Sequence, residues 1–175
     1  MPVNANVFTG ADGSLTLAAV TGTAEPKTTE GQRAQDVLTE YDLTSVGRVQ
    51  GVRVEVRSEV RAFHELGQRY ATELRPGNVT VRGTIARAYV NGALLKLLLG
   101  EAATGRPAGN WVQPALNISL VVANAANPNI NSTLTLYDVK FDRWAYGLPE
   151  DDFVMEDVGF QALYLSVADE AAAPA

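Results

Sequence analysis

Gly51-Val52-Arg53-Val54-Glu55-Val56-Arg57-Ser58-Glu59-Val60-Arg61-Ala62 is the stretch that decides the fold. Its even positions carry Val52, Val54, Val56, Ser58, Val60 and Ala62, and its odd positions carry Arg53, Glu55, Arg57, Glu59 and Arg61. Successive side chains of an extended chain point to opposite faces, so a period of two over this length predicts a long β-strand with one apolar and one charged face. On the charged face Arg and Glu alternate, which sets opposite charges side by side without building a net field. A solvated face is the plain reading of such a pattern, because exposed ion pairs contribute little.

Moving toward the C-terminus, Arg75-Pro76-Gly77-Asn78 reads as a turn: Pro presets one φ, and Gly or Asn supplies a positive one. It divides a strand over Arg69–Leu74 from a longer one over Val79–Val90. Val79, Val81, Gly83 and Ile85 share a face of that strand before the small apolar residues move to Ala86, Ala88 and Val90, which predicts a bulge or strong twist near Arg87. At Asn91-Gly92 the pattern changes to Ala93-Leu94-Leu95-Lys96-Leu97-Leu98-Leu99-Gly100, a run of helix formers with Asn91 placed to cap it and Gly100 to end it. The result is a short helix over about 91–99, apolar nearly all round, that needs cover on nearly every side.

Residues 100–114 form a Gly/Ala/Pro loop, and Leu116, Ile118, Leu120 and Val122 mark another strand. The Asn-rich stretch 124–132 reads as a turn, followed by strands near 133–145 and 153–167 joined by Gly147–Asp152. On the other side of the deciding stretch, Asp12-Gly13 predicts a hairpin between strands at Val3–Thr9 and Ser14–Val20. Residues 21–47, rich in Thr, Gly, Glu and Gln, read as a long loop or insertion with one short helix around 34–40. The expected architecture is mainly β: two packed antiparallel sheets forming a β-sandwich or barrel, one short α-helix, and a long loop or hairpin extension. A single domain is expected over 1–167, with a small mobile tail over 168–175.

With 46% hydrophobic residues in 175, the chain has the material for one buried core. Its net charge of -6 opposes a polyanion, which argues against tight nucleic-acid binding and suits a surface along which DNA slides without sticking. Cysteine is absent, so no disulfide, redox pair or thiolate metal site is available. The start of the sequence has no signal-peptide pattern, and the apolar run 93–99 is too short to span a bilayer; a cytoplasmic folding environment is expected, with no membrane partner.

A search for chemistry returns little. His64 is the one histidine, and its neighbours Val60, Ala62 and Leu66 include no serine elbow. Gly100-x4-Gly105-Arg106-Pro107 lacks the lysine and hydroxyl of a phosphate-binding loop. Glu150-Asp151-Asp152 with Glu156 and Asp157 could gather oxygen ligands for calcium, yet the spacing of a calcium loop is missing and a solvated acidic loop is the simpler reading. No catalytic, cofactor or metal residues are assigned, and the expectation is a protein that is not an enzyme. A carbohydrate-binding sandwich remains open as a rival and would use Trp111, Trp144 and Tyr146.

Several blocks carry a resemblance: Glu65-Leu66-Gly67-Gln68-Arg69 through Glu73-Leu74-Arg75-Pro76-Gly77-Asn78, then Val81-Arg82-Gly83-Thr84-Ile85, Leu94-Leu95-Lys96-Leu97-Leu98, Val139-Lys140-Phe141-Asp142 and Val158-Gly159-Phe160-Gln161-Ala162. In order and spacing, from about Gly47 to Val167, they resemble the major tail tube proteins of tailed phages, related in architecture to the inner tubes of contractile injection systems and type VI secretion. The resemblance implies six subunits closing a ring, inner strands lining a lumen, and rings stacking into a conduit through which genomic DNA passes without tight binding. It implies self-assembly, tail sheath, baseplate and tail terminator as further partners, a place in the virion tail after assembly in the host cytoplasm, and a terminator or connector ring as the alternative role. Two-faced strands could then join edge to edge between copies. On that footing Arg53, Glu55, Arg57, Glu59, Arg61, Glu73 and Arg75 are the subunit-interface candidates, and the hairpin over 48–78 is the candidate for reaching a neighbouring ring.

Overall fold

The computed structural model describes residues 8–124 and 127–170. In chain order the elements are β1 (Gly13–Ala19), α1 (Lys27–Glu40), β2 (Val49–Phe63), β3 (Glu73–Ala88), α2 (Ala93–Leu99), β4 (Leu116–Asn124), β5 (Asn127–Gly147), β6 (Met155–Ala162) and β7 (Tyr164–Glu170). All strand pairs are antiparallel. The chain is mainly β, and its sheet curls into a half-barrel, in line with the expected class.

One strand makes the curl. Residues 131–139 of β5 pair with β4, residues 131–137 also pair with β7, and residues 140–147 pair with β6. The sheet therefore folds into a β1-β4-β5-β7 part and a β5-β6-β3-β2 part that share β5. Pairing between β4 and β5 runs from Leu116↔Val139 to Ile118↔Leu136, so Tyr137 and Asp138 together oppose Asn117, and such a bulge bends the strand. Asp138 sits there at φ 55, and its N–H donates to Asn117 Oδ1 at 3.0 Å. Helix α1 is tied to this corner by Lys27 to Asp138 at 2.5 Å and by Lys140 to Glu30 at 2.7 Å.

Inside the curl, Leu116, Ile118, Leu136, Val139, Phe141, Val158, Phe160 and Ile85 are fully buried. Gly31, Ala34, Val37 and Leu38 of α1 and Ala93, Leu94 and Leu97 of α2 close the core from the helical side. The repeated Val-x-Phe blocks of the sequence are core partners: Phe141 faces Phe160, and Phe160 faces Gly83. A Cβ at Gly83 would run into the Phe160 ring and the Arg53 carbonyl, so that strand position has to stay bare. Helix α2 is placed as expected, with Asn91 Oδ1 accepting from the Ala93 N–H at 3.2 Å and Gly100 ending it at φ 57.

Several expectations are corrected. The helix expected around 34–40 is the C-terminal half of α1, but α1 starts already at Lys27, so the segment 21–47 is not chiefly loop; Thr28, Thr29 and Gly31 weaken the local propensity of the first half, and burial against β1 overrides that. Arg75-Pro76-Gly77-Asn78 is not the hairpin turn. Strand β3 runs straight through it, and Gly77 with Asn78 opposes Glu59 alone in a bulge between Ser58↔Val79 and Val60↔Pro76. The turn is the loop 64–72, where Gly67 takes φ 85 and the Thr72 N–H donates to the Phe63 carbonyl at 2.9 Å. Consequently no separate strand spans Arg69–Leu74.

The faces of β3 do not switch near Arg87 either. Val81, Ile85 and Arg87 all point inward, and the register slip in that region lies between Val49 and Gly51 of β2. Residues 127–132 belong to β5 and not to a turn, and residues 125–126 of the expected turn lie outside the described residues. The strand expected at 153–167 is two, β6 and β7, divided at Leu163, whose N–H donates to the Tyr137 carbonyl at 3.0 Å. Of the strand expected at Val3–Thr9, residues 3–7 lie outside the described residues and Phe8 and Thr9 are not in a strand. Ala168–Glu170 continue β7, and residues 171–175 of the expected tail lie outside the described residues.

Candidate self-association surface

Strands β2 and β3 pair from Val49↔Arg87 to Phe63↔Glu73, but only the base of this hairpin touches the rest of the chain. Val52 and Val54 pack against the core cluster, whereas every residue from Glu55 to Val79 is exposed. The outer half is a two-stranded ribbon with no layer on either face among the described residues. Directly opposed residues of an antiparallel pair share a face, which places Val60 with Pro76 and Ala62 with Leu74 on one side, continuing Val56. Phe63, Leu66, Tyr70, Leu74 and Val79 are also open to solvent, Leu66 and Tyr70 at 106% and 88%. A bare two-stranded ribbon is marginal in water, and contiguous exposed apolar surface marks a contact site.

All seven interface candidates lie on the opposite, charged side of this ribbon. Arg53 and Glu55 stand at its base with 3.7 Å between their charged groups, Arg57 faces Thr80, and Glu59 sits beside the bulge. Arg61 directly opposes Arg75, a like-charge pair eased by Glu73, whose carboxylate lies 3.0 Å from Arg75. Sequence reasoning named only charged residues of this stretch as interface candidates and did not single out the valine face as exposed surface. The valine spacing is the same whether the covering layer belongs to the same chain or to another, which leaves no local signal for the difference.

A second apolar surface occupies the other end of the same sheet. Tyr89, just beyond β3, stacks on Tyr146 with ring centroids 5.5 Å apart, and Trp144 lies 4.7 Å from Tyr146. Val90, Leu148 and Phe153 extend this patch into solvent. Its floor is polar and closed: Arg87 is ion-paired to Glu156 inside the core, and Trp144 Nε1 donates to Glu156 Oε2 at 2.7 Å. Of the three residues a sugar-binding rival would use, Trp144 and Tyr146 meet here, while Trp111 makes no ring contact with them.

Titratable groups are dispersed. His64 is exposed in the hairpin loop, Glu150, Asp151 and Asp152 are exposed in the β5–β6 loop, and Glu156 is buried on Arg87 and Trp144 and is not available to a cation shared with them. Among the described residues no group of three or more His, Asp or Glu could hold a metal ion. Lys27 is raised above its ordinary value by the hydrogen bond to Asp138 and that carboxylate's charge; Lys96 is raised by its hydrogen bonds to Glu40 and Tyr41. No helix among the described residues is long and apolar enough to cross a membrane.

No family model matches the sequence, and no curated protein matches it. Solved structures do. A chain of the sheath–tube complex of an extracellular contractile injection system, PVC, in its extended state superposes with a TM-score of 0.63 at 8% identity, over 94% of this chain and 93% of that one. A chain of the tube-terminating cap of the anti-feeding prophage gives 0.61 at 10% identity, over 97% and 95%. The SPP1 tail tube gives 0.59 at 11% identity, over 95% and 81%. At these identities the likeness is one of fold, and the chain has the tail-tube fold.

Proposed function

We propose that this chain is the structural subunit of a hollow tail tube, closing into six-membered rings that stack into a conduit for DNA. The observation that carries the reading is the outer half of the β2–β3 ribbon, whose apolar residues have no cover among the described residues. In a head-to-tail contact, one patch meets a different patch on the next copy, and repetition of such contacts generates rings and filaments. The seven charged residues Arg53, Glu55, Arg57, Glu59, Arg61, Glu73 and Arg75 then act in pairing and register between copies, since charge patterns set orientation more than affinity. Sheath, baseplate and terminator proteins are the further partners this reading names, the virion tail its place, and the role is architectural with no catalysis.

Negative-stain microscopy of the concentrated protein tests this directly, with hollow rods of six-fold cross-section as the expected result. Replacing 60–75 by a short turn is expected to leave a folded species that forms no rods. Only single copies at every concentration would refute the proposal. The likeness to a tube-terminating cap favours a second reading, a ring that closes a tube, and rods of indefinite length exclude it.

A further inference from the structure

The charged face of the β5-β6-β3-β2 part is not uniformly studded with side chains. One rung across it reads Arg53↔Thr84↔Gly159↔Arg143, so two guanidinium groups flank a threonine and a bare glycine. Arg82, on the adjoining rung, completes a trough of about 610 Å³ that Glu55 and Asp142 also border. Gly159 is what keeps its floor low: a Cβ there would lie 2.7 Å from Asp142 Oδ1 and 3.5 Å from Arg143 Nε. Asp142 is occupied by the Gln161 amide at 2.8 Å, and Glu55 stands 3.7 Å from Arg53. Arg82 and Arg143 have no ion pair among the described residues.

We propose that this trough is a binding site for a phosphate oxyanion, gripped by Arg53, Arg82 and Arg143. A guanidinium is a planar fork of donors matched to phosphate and carboxylate oxygens. A single carboxylate satisfies one fork, whereas three forks around one depression suit the several oxygens of a phosphate group. The location is unexpected in a chain of net charge -6: Arg82 and Arg143, without an ion pair among the described residues, and Arg53, 3.7 Å from Glu55, line one depression against the overall field. The two rim carboxylates and the open, solvated setting make the contact weak and salt-labile, suited to a phosphate held briefly. All three arginines belong to one copy, so the site is testable on the dispersed chain apart from the tube reading, with which it shares Arg53 and Glu55.

The test uses the dispersed chain at low salt with two probes, inorganic phosphate and a short single-stranded oligonucleotide, against Arg82→Gln, Arg143→Gln and the control Arg33→Gln, whose side chain pairs with Glu101 on α1's side of the molecule. Both trough residues are exposed, so unchanged melting curves are expected for all variants. Phosphate binding is expected to weaken roughly tenfold in each trough variant and to be unaffected in the control. If the oligonucleotide weakens in parallel and its salt slope falls by about one, the site takes phosphodiesters; if it does not respond, the site takes the free phosphate group. The proposal is overturned if wild-type protein fails to bind phosphate, if all three variants bind it equally, or if the trough variants lose self-association and nothing else, which would make the trough a receptor for a carboxylate of a second copy.

Discussion

Arg87 of β3 and Glu156 of β6 are register partners whose side chains form an ion pair within the core, 2% and 0% exposed. Glu156 also takes the Trp144 indole N–H, and Arg87 reaches Asn91 at the entry to α2, so the pair links two strands of the sheet, the aromatic patch and a helix start. Ionised groups in such a place are tolerable only while each satisfies the other.

Removing either partner should therefore cost far more than a surface change. Glu156→Gln and Arg87→Met are each expected to destabilise by about 3–5 kcal/mol, read as a lower urea midpoint at unchanged slope. The pair Arg87→Met with Glu156→Leu should cost less than either alone, since no uncompensated charge remains. Single variants within about 0.5 kcal/mol of wild type would contradict the buried pairing.

Gly83 and Phe160 make a second pair that tolerates no extra atom. Gly83→Ala drives a methyl into the aromatic ring and is expected to destabilise by about 1–3 kcal/mol, as overpacking does. Phe160→Leu in the same chain should recover part of that loss. Strictly additive effects in the double variant would show that the two residues do not touch.

The ribbon residues should behave in the opposite way. Phe63→Ser, Leu66→Ser and Tyr70→Ser are expected to change the unfolding free energy of the single copy by no more than about 0.5 kcal/mol while sharply reducing rod formation in micrographs. Glu59→Arg should likewise shorten rods and leave the monomer folded. Rods of wild-type length in all four variants would remove the ribbon from the assembly contact.

Alkaline stability should report on the corner at Asp138. Lys27 is held above its ordinary value of 10.5, chiefly by the hydrogen bond to Asp138, so its folded pKa exceeds its unfolded one. The stability that follows from this is complete below about 10.5 and is lost as pH rises through the folded value. Asp138→Asn, which suits the positive φ, is expected to lower stability at neutral pH and to flatten the decline above pH ~10.5 in urea titrations. An unchanged alkaline slope would show that the pair contributes nothing.

Much of the architecture was legible in local pattern. The alternation at 52–62 belongs to a strand, the leucine run at 93–99 is a helix stopped by Gly100, and the Val-x-Phe blocks lie on paired core strands. Misreadings arose where a residue type with a strong local habit served a non-local purpose. Pro76-Gly77-Asn78 has the chemistry of a turn but forms a bulge in a ribbon whose length is set by pairing further out. The polar stretch 27–33 looks too weak to extend the helix expected at 34–40, yet α1 runs through it and four positions on one side of α1 reach the core. Arg87 looked like a break in an apolar face because its partner lies 69 residues away.

The residue order by itself determined where the chain extends, where it coils into α2, and that β2 has one apolar and one charged face, because side-chain alternation and helix propensity act within a few neighbours. The tertiary structure decided which of those apolar faces met a core: the core reaches Val52 and Val54 and stops short of Val56, Val60 and Leu74. Burial depends on how far a folded sheet reaches, and no local spacing encodes that distance.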